Sequence, residues 1–352
     1  MDISNQSTHQ LAIKILFMQT FFSDNRPNEF EIIKRYFTHP CHHGTLGVGD
    51  DCALLAIPAQ KTLAISSDML VEGRHFFPGT HPRHLGHKAL AVNLSDLAAM
   101  GAQPLAFTLA LALPDNEPAW LQAFSEGIMT LANQYTCDLI GGDTTRGPLT
   151  ISITVLGLVS PQTALRRDKA CVNDDIWVSG ELGDARLALA VLRGTAETAC
   201  TLRPISQAEC LDIMTRLERP EPRVTLGINL QGLAHAAIDI SDGLISDLSH
   251  ILNRSACGAC LWTNNLPMSH TLTKQAQATQ YCCALTGGDD YELCFTAPAS
   301  ARTAIESLSQ QLRLQLTRIG RIEAQLGLRL LDQAGQILDF DQQGFDHFVS
   351  DK

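Results

Sequence analysis

The sequence predicts a two-domain α/β protein, with sheets layered against helices, and three observations carry that expectation. The chain has 352 residues, about twice the usual domain length. Runs of strand length alternate with stretches of helical periodicity along most of it. A proline-bearing break, Ser160-Pro161-Gln162, follows the last strand of the first half. We therefore divide the chain into an N-terminal extension at 1–24, a first domain at 25–160 and a second α/β domain at 161–352.

Taken in order, Leu11 to Phe22 is apolar, yet it contains Lys14, has no basic flank before it and shows no small-residue cleavage site. It reads as an amphipathic first helix and not as a secretion signal. Thr62 to Ser66, Leu105 to Leu113 and Thr150 to Val159 are strand runs, the last with Ile151, Ile153 and Val155 in period two. Pro82 to Met100 predicts a helix stopped by Gly101 and Pro104, with Asn93 and Asp96 set among alanines and leucines. In Asn116 to Tyr135, the residues Leu121, Phe124, Ile128, Leu131 and Tyr135 fall on one helical face that covers a sheet. Beyond the break come the strand Ile176 to Ser179, the helix Asp184 to Leu192, a polar connection near Pro220 and Pro222, and a strand and helix around Asp239. Arg318 to Ile322 and Leu328 to Leu338, with turn residues Gln333 to Gly335, predict strands and a hairpin.

Composition narrows the functional classes. With 45% hydrophobic and 18% charged residues the chain is globular, and no run approaches the ~18 apolar residues that a membrane span needs. Lysine and arginine number 26 against 37 acidic residues, a net charge of −11. That balance excludes a protein that tracks nucleic-acid backbones, and a phosphate ligand would need metal ions or local basic groups. The eleven cysteines are odd in number, and several, such as Cys137 and Cys294, sit in apolar segments, so they read as reduced thiols in the cytoplasm. Cys257-Gly-Ala-Cys260 has metal-knuckle spacing but no partner pair, and core packing accounts for it.

The informative feature is where the aspartates fall. Asp50 and Asp51 follow Gly47-Val48-Gly49; Asp68 follows the strand through Ser66 and Ser67; Asp143 follows Gly141-Gly142. Asp239 and Asp242 flank Ile240-Ser241, and Asp289 and Asp290 follow Gly287-Gly288. Any one of these pairs alone reads as a loop. Together they place carboxylates beyond strand ends, where α/β proteins bind ligands, and such a gathering needs cations between its members. Magnesium suits oxygen ligands shared with substrate phosphates. Asp96, inside a helix, needs a cation or a partner such as Lys88. No Walker A or dinucleotide fingerprint is present. Two candidates for phosphate remain: Gly141 to Gly147, whose glycines allow close approach, and Ser241-Asp242-Gly243, which either caps the helix Leu244 to Leu252 or presents its amides to an anion.

In combination the motifs resemble the thiamine-monophosphate kinase family, within the ATP-binding superfamily of aminoimidazole ribonucleotide synthetase and selenophosphate synthetase. The segments are GVGDDCALL from Gly47, LAISSDMLVEGRHF from Leu63, KALAVNLSDLAAMGAQP from Lys88, IGGDTTRGPL from Ile140, AIDISDGLISDL from Ala237, LTGGDDYELCF from Leu285 and GFDHF from Gly344. They follow one another in the family's order, and the resemblance covers the chain from about Phe30 to Phe348, with the first two dozen residues lying outside the family pattern. The resemblance implies the two-domain synthetase-like fold and a homodimer formed through the N-terminal sheet. It also implies transfer of the γ-phosphoryl group of ATP to thiamine monophosphate. Position by position, Asp51, Ser66, Ser67, Asp68, Asp96, Asp143 and Asp239 would hold magnesium, with Asp242 on a further ion. Gly142, Asp143, Arg167 and Ser241 would meet ATP, and His75, Asp289 and Phe345 the thiamine substrate. Ser67 stands where the family often has Thr, and Asp289 where it usually has Glu. The alternatives are a catalytically silent nucleotide or thiamine-phosphate sensor and another ATP-dependent enzyme of the superfamily. Against the selenophosphate branch, no cysteine precedes Cys41.

Overall fold

The computed structural model describes residues 27–43, 46–194 and 202–338. The expected helix at Leu11 to Phe22 lies outside them. A short helix α1 (Glu29–Ile32), boxed by Asn28 and Glu31, runs into a wider turn at Ile33–Phe37. The first half then builds β1 (Thr62–Val71), α2 (Pro82–Ala99), β2 (Gln103–Leu113), α3 (Pro118–Gln134), β3 (Asp138–Arg146) and β4 (Thr150–Val159). These strands form one sheet in the order β1-β4-β2-β3. Only β2 and β3 run parallel, because the α3 crossover joins them.

The second half contributes β5 (Asp175–Ser179), α4 (Asp184–Arg193), α5 (Gln207–Glu218), α6 (Val224–Leu230), β6 (Ala236–Asp239) and α7 (Leu244–Ser255). It continues with β7 (Gly258–Trp262), α8 (His270–Thr273), α9 (Gln277–Thr286), β8 (Leu293–Ala297), α10 (Arg302–Leu312), β9 (Leu316–Glu323) and β10 (Gly327–Leu331). Its sheet has the order β10-β7-β9-β5-β8-β6. The expected hairpin is present in shortened form: β10 stops at Leu331 and a single bridge joins Leu331 to Ile337. Asp332, whose side chain accepts from the amides of Ala334 and Gln336, makes the turn.

Helix α2 positions the site. Pro82 opens it and the left-handed Gly101 (φ 67°) lies just beyond its end. Most of its residues are buried, a pattern that requires cover on nearly every side. The cover comes from α3, β1 and β4 in the first half and from α6 and β6 in the second. The core is continuous across the halves, since Trp177 and Phe295 of the second sheet stack on each other and join the cluster that holds Leu90, Leu94 and Phe107. A separate core under the second sheet includes Ile176, Leu187, Leu248 and Leu261.

Two glycines let α2 and α3 touch backbone to backbone. A Cβ on Gly86 would stand 2.2 Å from the Phe124 carbonyl oxygen, and one on Gly127 would stand 2.0 Å from the Arg83 carbonyl oxygen. In an open helix Gly→Ala stabilises by up to about 1 kcal/mol. Here the sign reverses: Gly127→Ala should destabilise the chain by about 2 kcal/mol or more through overpacking, read as a lowered melting temperature.

Candidate active site

A cleft of about 640 Å³ opens beside α2, between β1 and the turn that follows β6. It collects Asp68, Asp96, Asp239, Asp242, Ser241, His75 and Asp289. A second cavity of about 790 Å³ adjoins it through Asp96 and is lined by Ser66, Arg166, Arg167, His250 and Arg254. The sequence separates these residues widely; the two sheets and α2 bring them to one place.

Strand β1 alternates, so Ser66 and Asp68 face α2 while Ser67 points to the other side. The Ser66 hydroxyl donates to the Asp96 carboxylate. The Asp68 amide donates to Asn93 Oδ1 at 3.1 Å, and Asn93 in turn donates to the Ala89 carbonyl. Ser67 donates instead to the Ile153 carbonyl at 3.1 Å and lies 3.0 Å from the Thr154 hydroxyl, on the face where Ile65 and Met69 are exposed. From α2, Lys88, Val92 and Asp96 follow one another at four-residue steps along the cleft. Asp239 ends β6 buried at the wall of the cleft and accepts from Ser95 Oγ at 2.8 Å. His75 is oriented by its Nδ1, which accepts from the Val71 amide at 3.0 Å.

The carboxylates repel one another. Burial, with Asp96 and Asp242 nearby, pushes the Asp68 carboxyl up to about 6. Burial and the Asp96 charge push Asp239 up to about 8. Asp96 is also raised by burial, against the opposing pull of the Ser66 hydroxyl and the Arg167 charge. Such a set is all oxygen, short of positive charge and strained towards protonation, which is the chemistry that a hard divalent cation relieves.

Several expectations need correcting. Lys88 does not pair with Asp96: its Nζ lies 3.0 Å from Asp289 Oδ1 on the far wall of the cleft. The amides of Ser241, Asp242 and Gly243 are not open to an external anion, because all three donate to Asp247 Oδ2 at 3.0 to 3.1 Å. The N-terminus of α7 is thus filled from within the chain, and neither Ser241 nor Asp242 caps it, since the cap position is Gly243. Asp290, the neighbour of Asp289, is likewise structural and accepts from the Gly183 amide. Gly141 to Arg146 is no loop but the outer part of β3. Gly142 is required there because its Cβ would meet the Leu109 carbonyl oxygen of β2 at 1.8 Å.

Asp51, Gly142 and Asp143 line neither cavity. Register puts Asp143 opposite Ala110, Ala110 opposite Ser152, and Ser152 opposite Met69, hence on the outward face with Met69. The segment bearing Asp51 packs there as well, through Ala53 and Leu55 against Ile140 and Leu156. Phe345 lies outside the described residues. Sequence reasoning missed the reach of Lys88 to Asp289, Asp247 as the internal anion, the arginines Arg74, Arg186 and Arg193 that line the cleft with Lys88, and Tyr291, which donates to Asp289 at 3.3 Å. Only Lys88 carried a signal, its four-residue spacing from Val92 and Asp96.

Known proteins are similar to this chain in both sequence and fold. Residues 49–159 match the model of the AIR synthase related protein, N-terminal domain. The chain is 45% identical over 327 residues to thiamine-monophosphate kinase of Escherichia coli, covering 92% of this chain and 98% of that one. It is similar to the crystal structure of thiamine-monophosphate kinase from Stenotrophomonas maltophilia, with a TM-score of 0.76 and 50% identity over 81% of this chain and 90% of that one. It is also similar to AaThiL complexed with AMPPCP and TMP, with a TM-score of 0.69 and 31% identity over 86% of this chain and 92% of that one.

The raised carboxyls make stability depend on pH. Asp68, Asp247 and Asp239, at about 6, 7 and 8 in the folded chain, have an ordinary value of 3.8. Over that interval the folded state holds more protons than the unfolded one, so their contribution is full below the ordinary value and is lost as pH rises through the folded values. Metal-stripped protein should therefore melt at progressively lower temperature from about pH 5 to about pH 8. Asp239→Asn should blunt the decline, and added Mg²⁺ should oppose it most at the alkaline end.

Proposed function

The chain belongs to the thiamine-monophosphate kinase family, and on that premise we infer that the carboxylate cleft converts thiamine monophosphate and ATP into thiamine diphosphate and ADP. The observation that carries the reading is the convergence of Asp68, Asp96, Asp239 and Asp242 in one cleft, with Lys88 on its wall. Donor and acceptor are both phosphates and repel each other. Magnesium bound by these carboxylates, Ser66 and the main chain at Ser67 would neutralise the facing phosphates and favour in-line transfer.

The residues of the chain supply the rest. Asp96 spans the two cavities, and the second, where Arg167 is set against the Asp96 charge, is assigned to ATP. The acidic cleft then receives thiamine monophosphate beside His75 and Asp289. Asp289 is held by Lys88 and Tyr291, a fixed geometry that compensates for a side chain one methylene shorter than the family's usual Glu. The acceptor phosphate is already an anion at neutral pH and asks little of a general base, which fits a cleft with His75 as its one imidazole among the described residues. Positioning and charge carry the rate. Phe345, Asp51, Gly142 and Asp143 retain in this reading the substrate, metal and ATP roles that the family pattern gives them. Within it the domains divide near residue 160 and the enzyme works in the cytoplasm.

We also propose a homodimer built on the outward face of the first sheet, where Ile65 is 62% and Met69 55% exposed. Asp51 and Asp143 stand on that face. Replacing Ile65 and Met69 together by lysine should convert a dimer to a monomer in light scattering while the far-ultraviolet spectrum is retained.

Incubation with ATP, Mg²⁺ and thiamine monophosphate should yield thiamine diphosphate in step with ADP, with free thiamine a poor acceptor. Nucleotide binding without diphosphate would instead indicate a silent sensor. Asp68→Asn and Asp96→Asn should each lower turnover by roughly 100-fold or more and raise the Mg²⁺ requirement while the fold persists.

A further inference from the structure

Away from both cavities, the connection between the two sheets ends in a cluster of unlike ligand groups. Cys171 and Asp174 close the approach to β5, and His235 stands immediately before β6. A sulfur of Cys171, a carboxylate oxygen of Asp174 and a ring nitrogen of His235 lie within 4.8 Å of one another. Asp174 is buried, with both oxygens about His235 Nδ1 at 2.9 and 3.0 Å, and one oxygen also accepts from the Cys171 amide at 2.9 Å. Cys257, the buried first residue of the Cys-x-x-Cys pair, is close enough for the charges of Asp174 and Cys171 to push its thiol up, behind the larger effect of burial. Arg321 is turned to Asn173 Oδ1, and the Cys171 thiol donates to the Lys169 carbonyl at 3.5 Å.

We propose that Cys171, Asp174 and His235 form a binding site for a thiophilic divalent cation of the zinc class, distinct from the carboxylate cleft. The donor set is sulfur, nitrogen and oxygen, which zinc accepts and magnesium does not seek. Metal bonds of ~2.0 to 2.3 Å in a tetrahedron place donor atoms roughly 3.3 to 3.8 Å apart, so the cluster needs only small side-chain adjustments. The shared His235–Asp174 hydrogen bond is what the cation replaces. Cys171 and His235 both reach solvent, which gives the ion an entry path. Occupancy would fasten the far end of the segment that carries Arg166 and Arg167 to the start of β6, the strand that ends in Asp239.

The test uses the metal-stripped full chain titrated with Co²⁺ under reducing conditions and excess Mg²⁺, which keeps the oxygen-rich cleft occupied. The expected result is a thiolate-to-cobalt absorption band that saturates at one Co²⁺ per chain. Cys171→Ser should abolish the band, His235→Gln should weaken cobalt binding at least tenfold, and Cys171→Ser should keep kinase turnover in Mg²⁺. Absence of the band, or its survival in Cys171→Ser, overturns the proposal. Cys171 is exposed and its replacement conservative, so the variant retains a folded chain for the measurement, and circular dichroism of each variant accompanies the titration.

Discussion

The arrangement depends on electrostatic repulsion held at close range. Asp68, Asp96 and the pair Asp239 and Asp242 come from three places in the chain, and burial raises the proton affinity of Asp68, Asp96 and Asp239, with neighbouring carboxylates adding to it at Asp68 and Asp239. Nothing in the hydrophobic effect favours such a cluster; the fold has to impose it. It does so with neutral partners that do not cancel the charge: the Ser66 hydroxyl donates to Asp96 and Ser95 to Asp239, while Asn93 accepts from the backbone amide of Asp68. The helix that carries three of these groups is buried on nearly all sides, so its rotation about its own axis is fixed. The closely approached α3 and the continuous core around Phe107 serve that same fixation.

The fold class was legible because alternation and helical periodicity are local. β4 runs over Thr150–Val159, as its period-two pattern predicts, and α2 and α3 end within a residue or two of the expected limits. Much of the cleft was legible as a set of acidic motifs, because Gly-Asp and Ser-Asp pairs at strand ends are conspicuous. Their partners were not. Lys88 and Asp96 lie close in sequence, and nothing local reveals that Lys88 reaches Asp289, 201 positions further on, in preference to its own helix. The three amides before α7 illustrate the same limit. Sequence shows a helix start suited to an anion, but Asp247, in the helix's first turn, reaches them before any ligand can. Gly142 needs its glycine for a strand contact whatever else it meets, a requirement that belongs to pairing register and is invisible in a motif.

The same register separates two groups of acids that the motifs present as one. Asp68 and Asp96 face the cleft, whereas Asp143 and the Asp51 segment sit on the reverse of the sheet. The sheet is only one residue thick, so opposite faces are near in space while chemically distinct. A surface assembled on the outward side would therefore lie a single strand's width from the reacting groups, and its packing would bear on them through β1 and β3 without any long chain of contacts.

Along β1 two messages are interleaved on one line. The side chains of Ser66 and Asp68 face α2, and those of Ile65, Ser67 and Met69 face the reverse. Inserting or deleting one residue between Thr62 and Ser66 would exchange the two messages, turning a carboxylate out to solvent and a methionine in towards Asp96; a change of two residues would leave both in phase. Both surfaces survive a change of length when it is even, or when a bulge absorbs the odd residue. Point substitution is the route by which either surface drifts independently of the other.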